Sequence, residues 1–229
     1  MIINPYRFSG GAAKYSRDFD GIDDKVTIAV DPVDVAPLTM AAWVKMDTTT
    51  QVGGIWNIEG DTGASNNAGF GLLIVNGVLW AYTQTTGAFD YAASTSTLNT
   101  TEWWHVCGVF RSSKDREIYI NGTSEGTNTT NITPSTIDVD NACIGNRANT
   151  NTDQDFSGKI ADVRVYNADI GETEIANLAA GTDYQTNLVG HWITGDDEGS
   201  GSVTVVDQST NSNDGTSVGS LSVADYPPI

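Results

Sequence analysis

Three carboxylates, Asp20, Asp23 and Asp24, crowd one short stretch of this chain, and Gly21 between them leaves a backbone carbonyl free to turn. Hard oxygen donors at that density suit a calcium ion, which takes roughly six to eight oxygens from carboxylates and carbonyls. Asp162 lies in a second acid-bearing run, alternating with Ala161 and Val163, so it points off the face those two bury. Glycoside hydrolysis asks for something else, two carboxylates about 5–9.5 Å apart across the sugar bond. Glu59-Gly60-Asp61 begins such an alternation, but Thr62-Gly63-Ala64 follows and brings no second Glu. Asp138 and Asp140 form a lone acidic pair of the kind that is usually just solvated. His105 and His191 are the two histidines, each beside a tryptophan, so no Ser-His-Asp set can be assembled. The expectation is a protein that does not catalyse.

The aromatic residues suggest binding instead. Trp80 and Tyr82 share one face of a strand-like run, Phe89 and Tyr91 are expected on the Thr/Gly/Ala-rich loop that follows, and Trp56 precedes the polar loop 61–67. Rings of this kind can stack on sugars, which makes Trp56, Trp80, Tyr82 and Tyr91 candidate glycan contacts. Their ordinary role in a sandwich is to fill the core. The Asn/Asp-rich segment Asn146–Asp155 offers polar rim contacts or is simply a connection.

The elements that must hold these residues are strands. Leu38, Met40, Ala42, Val44 and Met46 make one wholly apolar face, with Thr39, Ala41, Trp43 and Lys45 on the other. That period of two, with one side buried and one partly wet, is the pattern of a two-sheet sandwich. Asn76-Gly77 between two apolar runs is a tight hairpin signal, and Asn121-Gly122 repeats it. A single short helix is expected at Glu172–Ala180, with acids in its first turn and Gly181 as its stop.

Composition sets outer limits. At 229 residues the chain suits one all-β domain. Its 29 acidic against 11 basic side chains, a net charge of −18, argue against nucleic acid and against anionic membrane surfaces. The stretch Met1–Lys14 has no continuous apolar run, so neither a secretory signal nor a membrane span is expected there. Cys107 and Cys143 sit in apolar runs and read as buried small residues, with a single disulfide as the other reading. The four sequons, at Asn99, Asn121, Asn128 and Asn131, are discounted in so Asn/Thr-rich a chain.

Four stretches in a fixed order resemble a known family. Phe19-Asp20-Gly21-Ile22-Asp23-Asp24 is similar to the opening strand of LamG-like jelly rolls in the concanavalin A-like lectin and glucanase superfamily, with Lys25 in place of an aromatic. Thr39–Lys45 resembles the next strand. Trp103-Trp104-His105-Val106 and Ile118–Gly122 resemble the central hairpin, and Asp155–Ile175 the closing strand and helix. The resemblance covers roughly Tyr15 to Ala180. It implies an antiparallel two-sheet β-sandwich, residues 15–187, after an irregular leader, residues 1–14. The segment 188–229 looks like one that usually precedes the opening strand, so it is expected to complete or clip the same sandwich, with completion of a neighbouring subunit as the alternative. In LamG-like relatives a structural calcium sits at the sandwich rim, which carried over singles out Asp20, Asp24 and Asp162.

For function the resemblance implies a non-enzymatic, lectin-like binding or structural protein. The Asn-Pro-Tyr-Arg-Phe leader resembles those of tailed-phage structural proteins, which implies a virion-surface decoration or fibre-associated element touching capsid or tail proteins and cell-surface glycans. An extracellular lectin is the alternative, and a degenerate glycanase the weakest. The apolar stretches 2–8 and 226–229 suggest burial against further copies, a homo-oligomer and by resemblance a trimer. The other reading lays both along their own sandwich.

Overall fold

The computed structural model describes residues 15–30, 32–60, 68–85, 87–132, 141–147, 154–193 and 204–229. The leader 1–14, the stretch 61–67 and the pair Asp138 and Asp140 lie outside them. Two eight-stranded antiparallel sheets face one another. The first runs β10 (Thr123–Asn128), β9 (Asp115–Ile120), β8 (Trp104–Ser112), β3 (Leu38–Met46), β12 (Ser157–Tyr166), β1 (Ser16–Asp20) and β16 (Ser222–Ala224), with β13 (Leu188–Trp192) beside the later half of β12. The second runs β14 (Thr204–Val205), β15 (Gly215–Val218), β2 (Lys25–Ile28), β11 (Asn141–Ile144), β4 (Val52–Glu59), β5 (Gly69–Val75), β6 (Val78–Thr85) and β7 (Ala88–Ala93). This is the all-β sandwich that the alternating pattern predicts and the jelly roll that the family resemblance implies.

The alternation decides which side chains enter the core. Leu38, Met40, Ala42, Val44 and Met46 of β3 are all fully buried, and from the other sheet Ile58, Leu72, Ile74, Leu79 and Ala81 meet them. Asn76 and Gly77 take positive φ, 51° and 79°, and close β5 onto β6 as an Asn-Gly turn should. The same pair of conformations at Asn121 and Gly122 closes β9 onto β10.

The helix, α1, spans Gly171–Ala179. It lays Ile175 and Leu178 on the outer face of the first sheet, over Ala41, Cys107, Val109, Tyr119 and Tyr166. Glu172 and Glu174 in its first turn suit the positive end of the helix. Cys107 and Cys143 are both buried and both free, and burial raises both thiols, Cys143 to about 12.

The described residues from Leu188 onward are woven through both sheets. β13 pairs with β12, β15 with β2 and β16 with β1. Trp192 reaches the core, its ring 5.0 Å from Trp56, and its indole donates to the carbonyl of Asn213 at 2.9 Å. The buried Asp207 organises the turn beyond it, accepting the backbone N–H of His191, Ser209 and Asn213, each at 2.8 Å. At the end of the chain Pro227 is buried and Ile229 packs beside Gly181 past the helix, so part of stretch 226–229 lies along its own sandwich.

Candidate functional site

The acidic rim sits where β1 turns into β2. Ligand atoms of Asp20, Asp23 and Asp24 lie within 4.8 Å of one another. Asp20 Oδ1 accepts the backbone N–H of Ile22 at 2.8 Å and of Asp23 at 3.3 Å, a local turn that Gly21 permits at φ 73°. Asp24 is buried and ties the rim to the tail, accepting the N–H of Asp20 at 3.0 Å and of Ser220 at 2.7 Å. Burial raises its pKa, and the charges of Asp20 and Asp23 raise it further against the pull of those two N–H groups. An all-oxygen set of crowded anions suits a divalent cation, and each Asp24 oxygen keeps a lone pair beyond its N–H bond.

Asp162 does not join them. Ser157, not Asp162, stands opposite Asp20 in the ladder, and five further residues of β12 separate the two acids by roughly 16 Å. A register break between Ala161 and Arg164 puts Asp162 at φ 50° and turns its carboxylate onto the outer face of the first sheet. There Asp162 Oδ1 meets His191 Nε2 at 2.5 Å and Arg164 at 3.1 Å, while Arg164 also bonds Asp183. Burial disfavours the Asp162 anion, yet the His191 hydrogen bond and Arg164 hold its pKa well below the usual range. Asp162 is a structural anion, and its inclusion among the calcium ligands is corrected.

The four aromatic candidates divide in the same way. Trp56 is fully buried against Trp192 in the core and cannot meet a glycan. Its strand bulges between Gly54 and Trp56, a shift that alternation alone does not reveal. Tyr82 is also fully buried, but it faces outward from the second sheet, beneath Arg147. Trp80 and Tyr91 are half-buried on that outer face and stack flat, centroids 3.7 Å apart. Phe89 completes the shelf at 39 % exposure, stacked on Tyr82 at 5.3 Å.

Under this shelf lies a buried polar network. The Tyr82 hydroxyl shares its proton between Glu59 Oε1 and Asn57 Oδ1, the latter at 2.6 Å. To reach them from β6 it crosses β5 at Gly71, where any side chain would overlap both Asn57 and Tyr82. Arg147 Nε donates to Glu59 at 2.8 Å, its other nitrogens reach Gln84 and Gln154, and its guanidinium lies 4.8 Å over the Tyr82 ring. Burial works against the charge on Arg147, but Tyr82 and Glu59 beside it raise its pKa all the same. Burial likewise pushes the Tyr82 phenol well above its ordinary value. Glu59 and Arg147 went unrecognised as partners in the sequence. The one usable signal was that Arg147 is the single cation in the run 141–155.

Two facing antiparallel sheets, one helix on an outer face and an aromatic shelf on the other define a lectin-type sandwich. Residues 20–176 match Laminin_G_3, of the concanavalin A-like lectin/glucanases superfamily, and the chain belongs to that family. No curated protein sequence matches it. Among solved structures it is similar to a candidate carbohydrate-binding protein of Bacteroides ovatus ATCC 8483, with 18 % identity, TM-score 0.66, and 96 % of this chain aligned to 62 % of that one. A heptameric SAP-like pentraxin of Limulus polyphemus aligns at 15 % identity and TM-score 0.66 over 95 % of this chain and 97 % of that. The CBM40 of the Ruminococcus gnavus IT-sialidase aligns at 15 % identity and TM-score 0.58, covering 72 % and 97 %. At these identities the likeness is one of fold.

Proposed function

We propose that this chain is a non-catalytic carbohydrate-binding module, and that the outer face of the second sheet takes the glycan. The observation that carries the reading is the shelf of Trp80, Tyr91 and Phe89 beside Arg147 and Gln84. Ring faces next to hydrogen-bonding groups match a sugar, which has an apolar face and a polar edge. Structures of similar fold carry carbohydrate-binding names or hold arabinotriose, which supports the class of ligand and not its identity. Catalysis is disfavoured because Glu59 is fully buried and held by Tyr82 and Arg147.

A structural calcium belongs to the same reading, held by Asp20, Asp23 and Asp24, where it would neutralise three crowded anions and fix the β1–β2 turn to the tail. Extracellular placement fits a glycan binder. The virion-surface role and the trimer rest mainly on the leader 1–14, outside the described residues, and the carbohydrate reading stands without them. Calorimetry with a panel of neutral, arabinose-containing and sialylated oligosaccharides tests the proposal, comparing the native chain with Trp80→Ala and Phe89→Ala. Binding by the native protein and at least tenfold loss in both variants is expected. Equal affinity in all three overturns the placement, and no binding across the panel overturns the function.

A further inference from the structure

The first sheet carries a separate cleft of about 520 Å³ beyond the C-terminal end of α1, walled by Trp43, Trp103 and Trp104 and rimmed by Thr101, Glu102 and Asn121. We propose that it is a second carbohydrate site, taking a single neutral pyranose ring. The inference rests on the reading of this chain as a carbohydrate binder but uses none of the shelf residues.

Its size lies within the range of about 300–1,000 Å³ typical of small-ligand sites. Its parts are set before any ligand arrives. Trp43 of β3 stands opposite His105 of β8 in the ladder, and the His105 ring meets it edge-on at 5.4 Å. Asn121 is held by the β9–β10 turn and accepts the N–H of His105 at 2.9 Å, which leaves its amide nitrogen for another partner. Asn99 gathers the rim from below, accepting the N–H of Thr101 at 2.9 Å and of Glu102 at 3.0 Å while donating to Glu102 Oε2 at 2.8 Å.

Two further observations select the ligand. No Lys, Arg or His side chain lines the cleft among the described residues, and Glu102 is its one charge, so an anionic sugar is repelled. Asn121 offers its amide nitrogen as a donor and Glu102 its carboxylate as an acceptor at the same rim. Sugar hydroxyls, which both donate and accept, suit that pair. Trp43, Trp103 and Trp104 all line the cleft, so their indole signals are the readout.

The test is an NMR titration of the full chain, with its indole N–H resonances assigned. The probes are the methyl glycosides of glucose, galactose and N-acetylglucosamine, up to about 100 mM, a range that reaches single-ring affinities. The Trp43, Trp103 and Trp104 signals should move together with one saturable midpoint. Trp103→Ala and Glu102→Gln, both at the rim, should weaken that midpoint at least tenfold, while Trp80→Ala leaves it in place. Silence of the three signals with every glycoside overturns the site, whether or not Trp80 responds. Loss of their response in Trp80→Ala overturns it too. Movement of the three with Trp80 silent supports the cleft and moves the glycan away from the shelf, so the two readings fail separately.

Discussion

The ring of Tyr91 lies on the ring of Trp80 with planes only 4° apart, although in the ladder Tyr91 stands opposite Tyr82 and Trp80 opposite Ala93. The contact is therefore diagonal, from one strand to the next but one pair along, as long aromatic side chains allow. It fixes both rings at the sheet edge without taking either into the core.

Tyr91→Ala should accordingly release Trp80 as well as remove a ring. An aromatic pair of this kind contributes about 0.5–1.5 kcal/mol beyond its buried area, so a modest fall in urea stability is expected with glycan affinity falling further. A Tyr91→Phe variant keeps the stack and should bind as the native chain does. Equal loss in Tyr91→Phe and Tyr91→Ala would show that the hydroxyl, not the stack, is what matters.

Arg147→Ala removes the cation beside the fully buried Glu59 carboxylate, and breaking a buried ion pair from one side costs about 3–5 kcal/mol. The double variant Glu59→Gln with Arg147→Met removes both charges and should unfold in urea closer to the native midpoint than Arg147→Ala alone. Simple addition of the two single effects would contradict the buried-pair account.

Acid should weaken the fold in two windows. Burial lowers the His105 pKa from 6.5 to about 4, so the unfolded chain binds that proton more readily. Stability is then full above about pH 6.5 and falls as pH drops towards 4, by about 3 kcal/mol if the shift is complete. Asp162, held low by His191 and Arg164, adds stability above its unfolded value of 3.8 that is lost on further acidification. Thermal melts between pH 7 and 4 should therefore flatten in His105→Phe and keep their slope in Asp162→Asn. A native melting temperature independent of pH across that range contradicts the first window.

Chelator should lower the melting temperature of native protein, because an ion bound only by the folded state stabilises it by mass action. Asp20→Asn should remove that sensitivity. Asp162→Asn should keep it, since Asp162 serves His191 and Arg164 instead. Identical native melts with and without chelator speak against calcium at this rim.

What the sequence made legible was local. The faces of β3, the Asn-Gly turns and the helix at Gly171–Ala179 follow from spacing alone, because each depends on residues a few positions apart. The family likeness supplied the two-sheet layout. What failed to show were consequences of bulges and of distant partners. Trp56 and Asp162 each sit at a register shift, so Ile55 enters the core beside Trp56, and Asp162, off the core face as its spacing predicts, meets His191 and Arg164 instead of the acids at Asp20. Arg147 meets Glu59 across eighty-eight residues of chain, and nothing in either neighbourhood announces the other. Among the glycan candidates, Trp80 stands on the face it was expected to share with Tyr82, which Arg147 seals, while Tyr91 lies on strand β7 and not on the loop expected there.

The distribution of the tail strands also sets the order in which the molecule can be made. β1 and β2 leave the ribosome before the other described strands, yet each lies between partners that come late, β12 and β16 for one, β11 and β15 for the other. During synthesis both strands must wait, unpaired, while most of the protein is produced behind them. Nascent chains stalled before residue 215 should hold β2 with one open flank, a sticky edge that a chaperone would be expected to cover.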